Sequence, residues 1–186
     1  GNICNAAPSA DTGAPLLALG AKVVLAGKFG ERQLPLEAFW IGAGRTDCRS
    51  DELLKEILIE VPPENAAGAY EKLTRRKAMD LALMGAAVQV SIENGVFRNG
   101  SIALSTAAPT PVRAETAESV LAGGKADQDT IRRVSAAAHL DASPRSSYRS
   151  TSQYRTVMIP VLIGRAFERA LARISERERQ NEIMNQ

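Results

Sequence analysis

The dipeptide Asn94-Gly95, set between two runs of alternating polarity, constrains the fold of this chain more than any other feature. Both residues tolerate positive φ, which a two-residue type I′ hairpin turn demands at both central positions. Residues 86–93 place Ala86, Val88, Val90 and Ile92 on one side of a strand, and residues 96–105 return antiparallel. A strand over residues 69–74 completes a small three-stranded sheet. Three helical segments follow: 113–121, closed by Gly123-Gly124; 129–139; and a long one from about 150 to 182. Pro160 lies inside the last and predicts a kink or a split there. Strands followed by helices predict an α+β domain with the helices packed on one sheet face.

The pair Pro62-Pro63 stops regular structure and divides the chain into residues 1–63 and 64–186. In the first unit, Gly1 to Asp11 is small, polar and turn-rich, so it can approach a ligand closely. Residues 15–19 suit a short helix. Residues 21–26 and 31–36 read as two strands joined by the Gly27-Lys28-Phe29-Gly30 turn. After the Gly42-Ala43-Gly44 loop, residues 52–61 carry the apolar run Ile57-Leu58-Ile59 up to the prolines.

Composition excludes several classes of function. A net charge of +2, with positives dispersed among negatives, lacks the basic stripe of a nucleic-acid binder, and 4% aromatic residues leave few stacking platforms. No apolar run approaches the ~18–20 residues of a membrane-spanning helix, so a soluble, cytoplasmic protein without a membrane partner is expected. Cys4, Cys48 and the single His139 do not make a metal-ligand set. Cys4 reads as a buried small thiol, and His139 as a surface helix residue.

Five sequence blocks resemble one family. They are Gly1-Asn2-Ile3-Cys4-Asn5 with Ser9-Ala10-Asp11; Asp51-Glu52-Leu53-Leu54; Tyr70-x-Lys72 with Arg76 and Asp80; Ala108-Pro109-Thr110-Pro111-Val112-Arg113; and Pro144-Arg145-Ser146-Ser147-Tyr148-Arg149 with Tyr154-Arg155. In this order and spacing the chain resembles the flavin-binding medium subunits of molybdenum hydroxylases of the xanthine dehydrogenase and carbon monoxide dehydrogenase type, leaning toward the former. The resemblance implies the end of a vanillyl-alcohol-oxidase-type FAD-binding domain, residues 1–63, followed by a carboxyl-terminal α+β domain, residues 64–186. It implies FAD held jointly with an N-terminal FAD-binding segment that carries the other Gly-rich loop. It also implies a large subunit with molybdopterin, a small subunit with 2Fe-2S clusters, and NAD or oxygen as electron acceptor.

Site residues follow from the same resemblance. Gly1 and Asn2 would end the pyrophosphate loop, Asp11 would bond the ribityl chain or ring region, Leu54 would pack on the isoalloxazine, and Lys72 would set a cation near its carbonyl edge. On the residues alone, Gly1 and Asn2 are turn formers and Asp11 is an Asx turn or helix cap. Leu54 is then a core leucine, and Lys72 belongs to the solvated basic run through Lys77. Arg75, Arg76 and Lys77 suit a pyridine nucleotide, a partner subunit or solvent; Asp80 suits a cap or an arginine partner. Arg113, Arg149, Tyr154 and Arg155 read as packing and interface residues. The alternatives are a truncated, flavin-free scaffold of the same ancestry and an unrelated α+β domain. An apolar patch is expected beside Gly1 to Asp11 and Leu54.

Overall fold

The computed structural model describes residues 1–184. Helix α1 (Gly13–Ala18) follows the opening loop and leads into strand β1 (Lys22–Gly27), which pairs antiparallel with β2 (Gly30–Pro35). The short helix α2 (Leu36–Phe39) and a two-stranded ribbon, β3 (Trp40–Gly42) with β4 (Arg45–Thr46), occupy the expected loop region. Strand β5 (Glu52–Leu58) then joins the far side of β1, giving a sheet in the order β2-β1-β5. The expected run to Val61 stops early because Leu58 pairs with Lys22, the first residue of β1, so nothing remains for Ile59 to pair with.

The second sheet is an antiparallel meander of β6 (Ala66–Leu73), β7 (Met84–Glu93), β8 (Val96–Ser105) and the two-residue β9 (Val112–Arg113). It has four strands where three were expected. Asn94 and Gly95 have φ of 52° and 72°, as the predicted turn requires, and Glu93 faces Val96 across it. Arg113 pairs with Ala103 instead of opening a helix; α3 begins at Glu115 (Glu115–Leu121), and Asp127 caps α4 (Gln128–Ala137) by accepting from Thr130 N at 2.8 Å. Helix α5 (Ser152–Met184) closes the chain.

The meander is apolar on both faces. Ala86, Val88 and Val90 pack with Ile131, Val134, Ile159, Leu162, Ile163 and Phe167 beneath the helices, as the alternation predicts. Ala87 and Ala103, the intervening register, pack with Ile3, Leu17, Leu25, Phe39 and Trp40 of the first unit. Pro160 neither splits nor ends α5. Ile159, Leu162 and Ile163 around it are fully buried against the sheet, and that packing offsets the one missing backbone donor.

Candidate functional site

The opening loop is folded tightly by its own backbone. Asn5 N donates to Gly1 O at 3.0 Å, Ala6 N to Ile3 O at 3.1 Å and Ala10 N to Ala7 O at 3.0 Å. Trp40 Nε1 donates to the Ile3 carbonyl at 2.9 Å, Gly44 N to Ala6 O at 2.9 Å, and Thr106 N to Pro8 O at 2.7 Å, so the β3-β4 ribbon and the end of β8 anchor the loop. Ile3, Ala6 and Ala10 point inward, whereas Gly1, Asn2, Cys4, Asn5 and Asp11 are exposed. Cys4 is therefore not the buried thiol that the sequence suggested; Ile3 takes the inward position beside it. Thr12 Oγ1 donates to Asn2 Oδ1 at 2.5 Å, which pins the start of the loop to the start of α1. The next residue, Gly13, lets Pro111 pack closely on the start of α1, since a Cβ there would stand 2.7 Å from Pro111 Cγ.

Asp11 and Lys72, 61 residues apart, form an ion pair with Nζ 2.7 Å from Oδ2. Asp11 is therefore not a helix cap; Thr12 occupies that position. Lys72 is also not a freely solvated member of a basic run: its side chain is 26% exposed and that of Asp11 is 50% exposed. A pair this open contributes about 0–1 kcal/mol to stability, so the fold alone gives little reason for it. Strand alternation puts Tyr70 on the same face as Lys72. The Tyr70 hydroxyl and Ser105 Oγ are buried without hydrogen-bond partners beside Gly85, where a Cβ would lie 2.5 Å from each. Burial pushes the Tyr70 phenol above its ordinary pKa, opposed by the neighbouring Ser105 hydroxyl and reinforced by the charge of Asp11.

Leu54 lies on β5 opposite Leu25, half-buried against the core of the first unit. Its strand is fixed by a charged clip that sequence reasoning missed. Arg32 Nε and Nη2 donate to the two oxygens of Glu52 at 2.8 and 2.9 Å, and Nη1 donates to Asp47 Oδ2 at 2.7 Å. Arg49 N adds a bond to Glu52 at 2.9 Å. Arg32, then the Arg49 amide, hold the Glu52 carboxyl down at about 2. The signal was present as opposite charges on two predicted strands, but the ordering β2-β1-β5 was not readable. Beyond Lys72, Arg75 N and Arg76 N both donate to Asp80 Oδ2, at 2.9 and 3.1 Å, so Asp80 ties up the loop before it. Burial alone would raise the Asp80 pKa, but these bonds outweigh it and the carboxyl is lowered. His139 is exposed, as expected, and no cluster of metal-ligating side chains exists among the described residues.

Of the residues that the resemblance marks, the structure brings Asp11 and Lys72 into contact, leaves Gly1 and Asn2 exposed at the start of the loop, and sets Leu54 half-buried on β5 against the core of the first unit. The exposed apolar surface expected here is found along β5, an edge strand, at Leu53, Ile57 and Leu58, and not on the loop itself.

Residues 68–170 match the family described as CO dehydrogenase flavoprotein C-terminal domain, and residues 1–63 match that described as FAD binding domain in molybdopterin dehydrogenase. The chain is 33% identical over 175 residues to a putative xanthine dehydrogenase FAD-binding subunit of Escherichia coli K12, covering 92% of this chain and 59% of that protein. It is 39% identical over 173 residues to the carbon monoxide dehydrogenase medium chain of Afipia carboxidovorans, covering 93% and 60%. Among solved structures, the carbon monoxide dehydrogenase of Hydrogenophaga pseudoflava superposes with a TM-score of 0.89 at 32% identity, covering 93% of this chain and 60% of that one. The chain spans about three-fifths of the length of these relatives.

Proposed function

Since the chain belongs to the family of flavin-binding medium subunits of xanthine and carbon monoxide dehydrogenases, we propose that it forms one wall of an FAD site in a heteromeric molybdenum hydroxylase. The observation that carries this reading is the Asp11–Lys72 pair, which joins the opening loop to the meander at a half-open position. Asp11 orients the ribityl chain or ring region by a charge-assisted bond, and Lys72 holds a cation at the carbonyl edge. Leu54 covers the ring with apolar surface. Gly1 and Asn2 turn their backbone N–H groups to phosphate oxygens, with the Gly1 carbonyl held by Asn5 N and the Asn2 side chain held aside by Thr12.

FAD, when bound, supplies the two-electron chemistry through which electrons from 2Fe-2S clusters in a small subunit pass to NAD or oxygen. The large subunit, with molybdopterin, selects the substrate. The rest of the flavin site comes from an N-terminal FAD-binding segment, in the same or a separate chain. The share of the relatives spanned here supports that, as does the unpaired edge of β5. A cytoplasmic assembly fits the described residues, none of whose helices is long and apolar enough to cross a membrane. The test is an absorption spectrum and intact-mass measurement on the native protein with its accompanying chains. Flavin and iron-sulfur bands with companion subunits are expected, whereas a lone colourless chain would leave a flavin-free scaffold as the better reading.

A further inference from the structure

We infer that the cleft ahead of α5 is a binding site for a phosphate-type oxyanion, separate from the residues assigned to flavin. Arg145, Arg149 and Arg155 line a cleft of about 350 Å³ together with Ser146, Ser147 and Thr106. That volume falls in the ~300–1,000 Å³ range of small-molecule sites. Among the described residues, none of these three arginines has a carboxylate within salt-bridge distance, whereas elsewhere Arg32 is held by two and Arg113 by one.

Arg155 is the buried member of this cluster. It is only 2% exposed, donates from Nη1 to the Arg145 carbonyl and from Nη2 to Ser147 Oγ at 2.9 Å, and leaves Nε buried without a partner. Burial, then the charges of Arg145 and Arg149, lower its pKa, with no acid opposing them. A buried cation that lacks both a counter-charge and a full set of acceptors is costly unless something anionic completes it. Thr106 points the same way: its Oγ1 is also buried and unpartnered, and its φ of 61° is rare for a β-branched residue. The Thr106 N bond to Pro8 O holds it in that conformation on the cleft wall.

Stacking holds Arg149 in turn, its guanidinium 5.1 Å from the Tyr148 ring centroid and Nε donating to the Tyr148 hydroxyl at 3.0 Å. Three guanidinium groups with serine hydroxyls between them suit a tetrahedral oxyanion, whose oxygens accept from planar forks in pairs. The ligand is then either free phosphate or the phosphate of a larger molecule such as a nucleotide. Pro8 and Ser9 of the opening loop also line the cleft, but Asp11, Leu54 and Lys72 do not, so the inference stands whether or not flavin binds.

The test is calorimetric titration of the native protein with inorganic phosphate, at constant ionic strength set with chloride to hold screening fixed. Saturable binding is expected, weakened about tenfold for each charge-assisted bond removed in Arg145→Gln and Arg149→Gln and further in the double variant. Arg155→Lys keeps the buried charge and loses the fork; it should also weaken binding, with thermal unfolding run alongside to show that the variant is folded. A parallel titration with adenosine monophosphate separates the sources: tighter binding than phosphate marks a nucleotide site, and equal binding marks a free oxyanion. No saturable binding, or binding indifferent to the double variant, overturns the inference.

Discussion

Asp11 and Lys72 show how two residues can each look ordinary and still define a site together. Asp11 reads as a helix cap and Lys72 as part of a basic run, yet the two meet at 2.7 Å across the junction of the two units. A positive charge beside a flavin stabilises its reduced, more negative form, and a carboxylate beside that charge moderates the effect. Lys72→Met is therefore expected to lower the flavin midpoint potential and Asp11→Asn to raise it, in redox titrations of the native complex. Equal shifts in the same direction would mean that neither residue acts through its charge. The resemblance named both residues; neither periodicity nor composition could have, because a contact spanning 61 positions leaves no local trace.

At the scale of elements, the β2-β1-β5 sheet depends on the Arg32–Glu52–Asp47 clip. The Glu52 carboxyl, held at about 2, contributes stability that is complete above the ordinary carboxyl range and is lost as pH falls toward 2. Trp40, the only tryptophan, is buried in the core of the same unit and can report this by fluorescence. Glu52→Gln should lower stability at neutral pH and flatten the acid limb of the unfolding curve; an unchanged acid limb would show that the clip is incidental. On the other side, Phe167 of α5 meets Phe97 edge-to-face at 5.8 Å between centroids, both fully buried. Phe167→Ala is expected to cost about 3–5 kcal/mol in denaturant unfolding.

The meander was legible because Asn94-Gly95 fixes a turn and Ala86, Val88 and Val90 alternate around it. Strand β9 was not, since two residues between Pro111 and a helix carry no period. The split offered at Pro160 does not occur for a related reason: Ile159, Leu162 and Ile163 hold the helix together there, and their burial is decided by the sheet they pack on.

Over the whole molecule, the meander serves two cores at once, with α3, α4 and α5 on one face and the first unit on the other. Strand β5 leaves an unpaired edge, with Leu53 63% exposed and Ile57 and Leu58 beside it. An apolar edge of this kind pairs readily with further polypeptide. The chain by itself is expected to associate as its concentration rises in sedimentation experiments, and a strictly monomeric chain would contradict that reading of β5. The proposal that Gly1, Asn2, Asp11, Leu54 and Lys72 form part of a flavin site stands or falls on the visible absorption of the native protein, read with release of the bound chromophore. Flavin bands and recovery of FAD are expected, together with a mass that includes further flavin-domain polypeptide; a colourless protein that carries no FAD would contradict it.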